Sequence, residues 1–174
     1  MATENIIIDD RENNELESAL GTHWRLITDE VMGGLSTGRL HPHRIEGKAC
    51  LRLSGDVRLE NNGGFIQAAL DLGQTAGRDA SSYQGILIEV FGNQADYNLH
   101  LRSNDVWLPW QSYRASFQTT PSWQTVKLPF DRFVGYRIDK ALDTRRLKRV
   151  GLVAIGSAFA ADLCIARIEF YRDN

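Results

Sequence analysis

Asp29, Ser36, Asn61 and Asn62 supply a carboxylate, a hydroxyl and two amides on two glycine-paired segments. The first segment reads Thr28-Asp29-Glu30-Val31-Met32-Gly33-Gly34-Leu35-Ser36-Thr37-Gly38, and the second Glu60-Asn61-Asn62-Gly63-Gly64-Phe65. Paired glycines admit positive φ and let another backbone come close. Two such loops could close over a polar ligand or a partner, with the N–H groups of Gly33, Gly34, Gly63 and Gly64 facing it. They could also brace each other. Buried turns must satisfy their own polar groups, and small polar side chains do so by bonding to the main chain. Bracing is the favoured reading, and it makes Met32 and Phe65 loop anchors in the core. Asp29 and Glu30 are sequence neighbours, which is a poor arrangement for paired acid–base work.

A second candidate site lies in the aromatic stretch from Arg102 to Arg114. Trp107, Trp110 and Tyr113, with Arg102 and Arg114, are the residue types that stack on a sugar or a single nucleic-acid strand. The same types anchor protein partners. They would also serve as a core-facing or rim cluster of a sandwich. Among the binding readings, partner docking ranks first and nucleic acid last. The formal net charge is -2, so there is no global attraction to nucleic acid or anionic lipid.

Other chemistries lack a constellation. His41-Pro42-His43 would put two imidazoles on one strand face, but zinc needs further ligands, and an exposed turn is the simpler reading. Asp29, Asp56 or Asp71 could contribute oxygens to a structural calcium, which wants six or more; no set is assigned. Gly-x-Gly-x-x-Gly and Gly-Lys-Ser/Thr are both missing from the sequence, which removes the usual nucleotide signatures. No catalytic residue, cofactor or metal is assigned, and the chain reads as non-enzymatic. Cys50 and Cys164 sit in apolar runs and read as small buried hydrophobes. They could form a disulfide if their strands pair, although a reducing compartment disfavours one. The run Arg145-Arg146-Leu147-Lys148-Arg149 reads as a solvated turn with Leu147 inward.

These side chains need a scaffold, and the hydropathy pattern supplies it. Ile66, Ala68 and Leu70 alternate with Gln67 and Asp71; Ile86, Ile88 and Val90 with Leu87, Glu89 and Phe91; Tyr97, Leu99 and Leu101 with Asn98, His100 and Arg102. A period of two marks strands, and turn signals between the runs point to a sandwich or barrel. About ten strands are expected. Leu163 and Ile165 keep one phase and Ile168 and Phe170 the other, which a bulge near Ala166-Arg167 would reconcile. Helix is scarce: a short one is expected over residues 14–20, and Asp143 is expected to cap the turn through Leu147.

The 174 residues, 43% hydrophobic and 24% charged, suit one domain spanning 1–174 with a core of its own. No run nears the ~20 apolar residues that span a bilayer. The polar start and the short Ile6-Ile7-Ile8 run do not fit a signal or transit peptide. A cytoplasmic protein with no direct membrane insertion is expected.

Taken in order, several segments resemble the complex I intermediate-associated protein 30 family, assembly factors of NADH:ubiquinone oxidoreductase. The carrying residues are Trp24, Asp29-Glu30-Val31-Met32-Gly33-Gly34-Leu35-Ser36, Asn61-Asn62-Gly63-Gly64-Phe65, Ser82-Tyr83-Gln84-Gly85, Trp123-Gln124-Thr125-Val126 and Ile165-Ala166-Arg167-Ile168-Glu169-Phe170-Tyr171. The resemblance implies an all-β, galactose-binding-like jelly-roll sandwich. It also implies a non-enzymatic chaperone role, with protein subunits of an assembling respiratory complex I as partners. Gln67, Ala68 and Ala69 stand where the family usually carries an arginine, and Gly92-Asn93-Gln94-Ala95-Asp96 replaces its Gly-Asp-Gly. The alternative is a carbohydrate-binding module of the same architecture, using an aromatic-lined concave face.

Overall fold

The computed structural model describes residues 4–13, 15–73 and 77–173. Twelve strands run β1 (Ile6–Asp9), β2 (Arg25–Thr28), β3 (Thr37–Ile45), β4 (Lys48–Val57), β5 (Phe65–Asp71), β6 (Gly85–Phe91), β7 (Asp96–Ser103), β8 (Ser112–Gln118), β9 (Gln124–Pro129), β10 (Val134–Tyr136), β11 (Leu147–Ile155) and β12 (Phe159–Tyr171). They form two six-stranded sheets. The first has the order β3-β4-β12-β6-β9, with β1 also on β12; the second has the order β10-β8-β7-β11-β5-β2. Every pairing is antiparallel. The chain is therefore an all-β jelly-roll sandwich.

Each sheet turns one set of alternating side chains to the shared core. Ile86, Ile88 and Val90 of the first sheet are fully buried, as are Ile66, Ala68, Leu70, Leu99 and Leu101 of the second. Removing side-chain volume at such positions typically costs about 2–5 kcal/mol. Strand β12 changes phase midway. Its register against β6 slips between Ile165 and Arg167, so Leu163 and Ile165 before the slip and Ile168 and Phe170 after it all reach the core. The phase break in the sequence is thus a β-bulge.

A polar cluster fastens β1 to the segment before β2. Asp9 and Arg11 are both buried, and they pair at 2.6 Å. Trp24 Nε1 donates to the same Asp9 Oδ2 at 2.6 Å. Arg11 also donates to the carbonyls of Glu15 and Glu17. A buried ion pair is tolerable only when its remaining hydrogen-bonding capacity is met, and here backbone carbonyls and an indole meet it.

Some local expectations change. Residues 15–20 form turns and a bridge from Glu17 to His23 in place of a helix; Asn14, which began that expected helix, lies outside the described residues. His41 and His43 lie on edge strand β3, not in a turn, with their rings 5.9 Å apart. Cys50 and Cys164 belong to strands that do pair, yet both are free thiols, buried as a small hydrophobic cluster with Ala166. Asp143 caps its turn through the Arg145 N–H at 3.0 Å, and Leu147 points inward.

Candidate functional site

Strand β2 ends at Thr28, and the chain turns at once into a short 3-10 turn over Asp29–Met32, which Thr28 Oγ1 caps by accepting from the Glu30 N–H. Gly33 closes this turn with φ of 85°. Asp29 is 0% exposed. Its Oδ1 accepts from the Ser36 N–H at 3.0 Å; its Oδ2 accepts from Ser36 Oγ at 2.5 Å, the Gly64 N–H at 2.5 Å and the Phe65 N–H at 3.2 Å. Ser36 Oγ in turn accepts from the Arg58 N–H at the end of β4. Asn61 Nδ2 reaches across to the Gly33 carbonyl at 3.2 Å.

One carboxylate therefore ties together three chain segments. The glycines are there to let it in. A Cβ at Gly34 would stand 2.5 Å from Asp29 Oδ1, and one at Gly63 would stand 2.5 Å from Oδ2. Burial pushes the Asp29 carboxyl up, but the hydrogen bonds from Ser36, Gly64 and Phe65 outweigh it and hold the group below its ordinary value. Hydrogen bonds to the charged form have this effect. The two glycine segments meet, and their polar residues are spent on each other. Met32 does not anchor them: it is 57% exposed, beside Val31, Leu35 and Leu59, which are also exposed. The one-turn helix aims residues 31 and 32 outward because Asp29 occupies its inner side. Asn62, at φ of 60°, is exposed as well. A depression of about 340 Å³ beside this corner is lined by Leu26, Ile27, Thr28, Glu30 and Val31.

The aromatic stretch lies at the other end of the second sheet. Thr28, Phe65 and Ile155 mark the glycine end in the strand registers; Asp71, Arg149, Ser103 and Ser112 mark the far end. The expected site residues thus fall in two separate places. Trp107 is 79% exposed, and Trp110 is exposed too. Tyr113 is not part of their surface. It is 2% exposed, and its hydroxyl donates to the Lys140 carbonyl at 2.9 Å. Strand alternation sends Tyr113, Ala115 and Phe117 into the core together. Arg102 is a brace: its Nη2 donates to the carbonyls of Val106 and Leu108, shaping the loop that carries Trp107.

The place expected of Tyr113 is taken by Tyr136. It pairs with Ser112 across β10–β8 and has two guanidinium groups against its ring, with Arg114 Cζ 3.8 Å and Arg137 Cζ 5.3 Å from the ring centre. Val134, two residues away, is also exposed. A three-residue strand is too short to show a period, so the sequence offered only the Tyr136-Arg137 pair as a signal.

The complex I intermediate-associated protein 30 (CIA30) model matches residues 13–165. The chain belongs to the CIA30 family. No curated protein matches it by sequence. Among solved structures it is similar to the family 11 carbohydrate-binding module of a cellulosomal cellulase of Clostridium thermocellum, at 14% identity and a TM-score of 0.76, covering 99% of this chain and 97% of that one. The Clostridium thermocellum family 11 module in complex with a β-1,3-1,4-mixed-linked tetrasaccharide gives 14% identity and 0.75 over 99% and 98%. A family 30 carbohydrate-binding module gives 16% identity and 0.64 over 98% and 100%. At these identities the likeness is one of fold. Among the described residues, no helix is long and apolar enough to cross a membrane, and no three His, Cys, Asp or Glu side chains are grouped to hold a metal ion.

Proposed function

We propose that this CIA30-family chain is a non-enzymatic protein-binding domain that assists assembly of NADH:ubiquinone oxidoreductase, respiratory complex I. The observation that carries the reading is the family match over residues 13–165. The chain acts as one sandwich over 1–174, in the cytoplasm, and reaches a membrane-bound assembly through its partner. The surface supports this role. Exposed large apolar side chains gather at the glycine corner (Leu26, Val31, Met32, Leu35, Leu59) and at the far end (Trp107, Trp110, Val134, Tyr136). Grouped apolar side chains on a stiff frame are what a partner's surface docks against, and the buried Asp29 bonds keep the corner from yielding. Affinity purification of the tagged protein from its host tests the reading. Recovery of NADH dehydrogenase subunits with the wild type, and their loss with Trp107→Ala/Trp110→Ala/Tyr136→Ala at unchanged melting temperature, is the expected result. Purification without any such subunit refutes it.

The fold neighbours favour a second reading, a carbohydrate-binding module. The outer face of the second sheet carries Gln67, Asn98 and His100 as hydrogen-bonding groups, with Tyr136 at its rim. Micromolar binding on a glycan array would support it, and a blank array would count against it.

A further inference from the structure

The outer face of the second sheet holds an arrangement that neither patch explains. The strand registers place Gly151, His100 and Arg114 side by side across β11, β7 and β8. Arg149 and Arg102 form the next row. The floor is low: Ala69 and Gly151 lie next to each other, and the Gln67 amide occupies the space that a Cβ at Gly151 would take. His100 is 8% exposed, and its Nε2 has no hydrogen-bond partner among the described residues. Arg102 Nε is likewise buried without a partner. Arg149 is paired, to Asp71 at 2.9 Å. Arg114 bonds only to Ser112 Oγ through its Nε, and no carboxylate of the described residues lies within ion-pair distance of Arg114, Arg102 or Arg137.

Half-buried guanidinium groups without a counter-charge carry a desolvation cost, which the two carbonyls on Arg102 and the Ser112 hydroxyl and Tyr136 ring on Arg114 offset only in part. Burial and the neighbouring cations lower the affinity of Arg102 and Arg114 for their protons, and burial followed by the Arg114 charge lowers that of His100. All three shifts report local positive potential or a dry setting, which an anion would relieve. A planar guanidinium fits a carboxylate with two parallel hydrogen bonds. Tyr136, stacked under Arg114, fixes the plane of that fork.

We infer that the outer face of β7, β8 and β10 is a carboxylate-binding site, centred on Arg114 with His100 and Arg102 beside it, that takes the Asp or Glu side chains of an extended acidic segment in the client polypeptide. The naming of a client rests on the assembly reading; the carboxylate chemistry rests on the sheet face alone. The exposed Tyr136, Val134 and Trp110 at the rim supply apolar contacts to residues flanking the acids. Charge complementarity selects an acidic peptide over a neutral glycan, which would leave the guanidinium charges uncompensated.

Titration of the ¹⁵N-labelled protein with N-acetylated hexaglutamate at low salt, against hexaglutamine, tests the site. Saturable amide shifts confined to residues 98–102, 112–116 and 134–137, with hexaglutamate only, are expected. Arg114→Gln, which keeps at most one neutral bond of the fork, should weaken binding by at least about tenfold. Arg114→Lys, which keeps the charge but not the fork and guards against a folding defect, should fall between. Equal binding of hexaglutamine, shifts centred elsewhere, unchanged affinity in both variants, or the mixed-linked tetrasaccharide binding at the same amides while hexaglutamate does not, each overturns the proposal. The assembly reading is judged separately: NADH dehydrogenase subunits recovered equally by wild type and Arg114→Gln would leave that reading intact and remove this site from it.

Discussion

Replacing Asp29 by Asn separates a brace from a binding group. The side chain keeps its shape, but one oxygen becomes an NH₂ that faces donors. In the native protein the carboxylate accepts from Ser36 N–H, Ser36 Oγ, Gly64 N–H and Phe65 N–H with no exposed surface. An amide oxygen placed at Oδ2 could keep part of that set, but the Ser36 N–H would meet a donor. A buried donor left unpaired costs about 1–3 kcal/mol, and each charge-assisted bond that becomes neutral loses roughly half its strength. The sum is about 4 kcal/mol, which for a chain of this size lowers the melting temperature by roughly 10–15 °C. Urea unfolding followed by circular dichroism would give the free energy, and calorimetry the temperature. A loss below about 1 kcal/mol, together with abolished partner capture, would refute the bracing argument and return Asp29 to the role of a contact residue.

Gly63→Ala should destabilise by a comparable amount, because its Cβ would stand 2.5 Å from Asp29 Oδ2; paired with Asp29→Ala, the two effects should be strongly non-additive in a double-mutant cycle. Arg11→Met leaves Asp9 charged and buried, and should cost about 3–5 kcal/mol in urea melts. His100 is held down to about 3 by burial, with the Arg114 charge adding to it, so its imidazole should show no titration by NMR between pH 5 and 8. Its lowered value makes stability complete above the ordinary histidine range and progressively lost as pH falls toward the folded value; this one group removes about 2 kcal/mol between pH 7 and 5, and His100→Gln should erase that slope. Asp29 cannot mimic the effect, since its contribution is lost only below the ordinary carboxylate range. Trp107→Ala should leave the melting temperature unchanged, whereas Tyr113→Phe should lose about 1 kcal/mol with its hydrogen bond.

Where several side chains alternate in register, the sequence was sufficient. The runs through Ile66, Ile86 and Tyr97 gave strands with the right faces inward, and the phase break at Ala166-Arg167 located the bulge in β12. Tyr113 was legible by the same rule, because its alternation with Ala115 and Phe117 outweighs its nearness in sequence to the two exposed tryptophans. Met32 was not legible. An apolar residue in a tight turn goes in or out according to which neighbour claims the inner side, and that depended on Asp29 finding donors 35 residues away at Gly64. Tyr136 and the row of His100 and Arg114 depend on which strands lie side by side, a matter of long-range pairing that local pattern does not encode.

Strand β12 is the last of the twelve and sits between β4 and β6 in its sheet. During synthesis, the β3–β4 hairpin and the β6–β9 pair therefore wait as two fragments with unsatisfied edges. Neither can join the other until residues 159–171 have cleared the ribosomal tunnel. Such late closure of distant pairings makes folding slow and leaves nascent chains open to sticking. On this topology the chain itself stays exposed to such sticking until β12 is released.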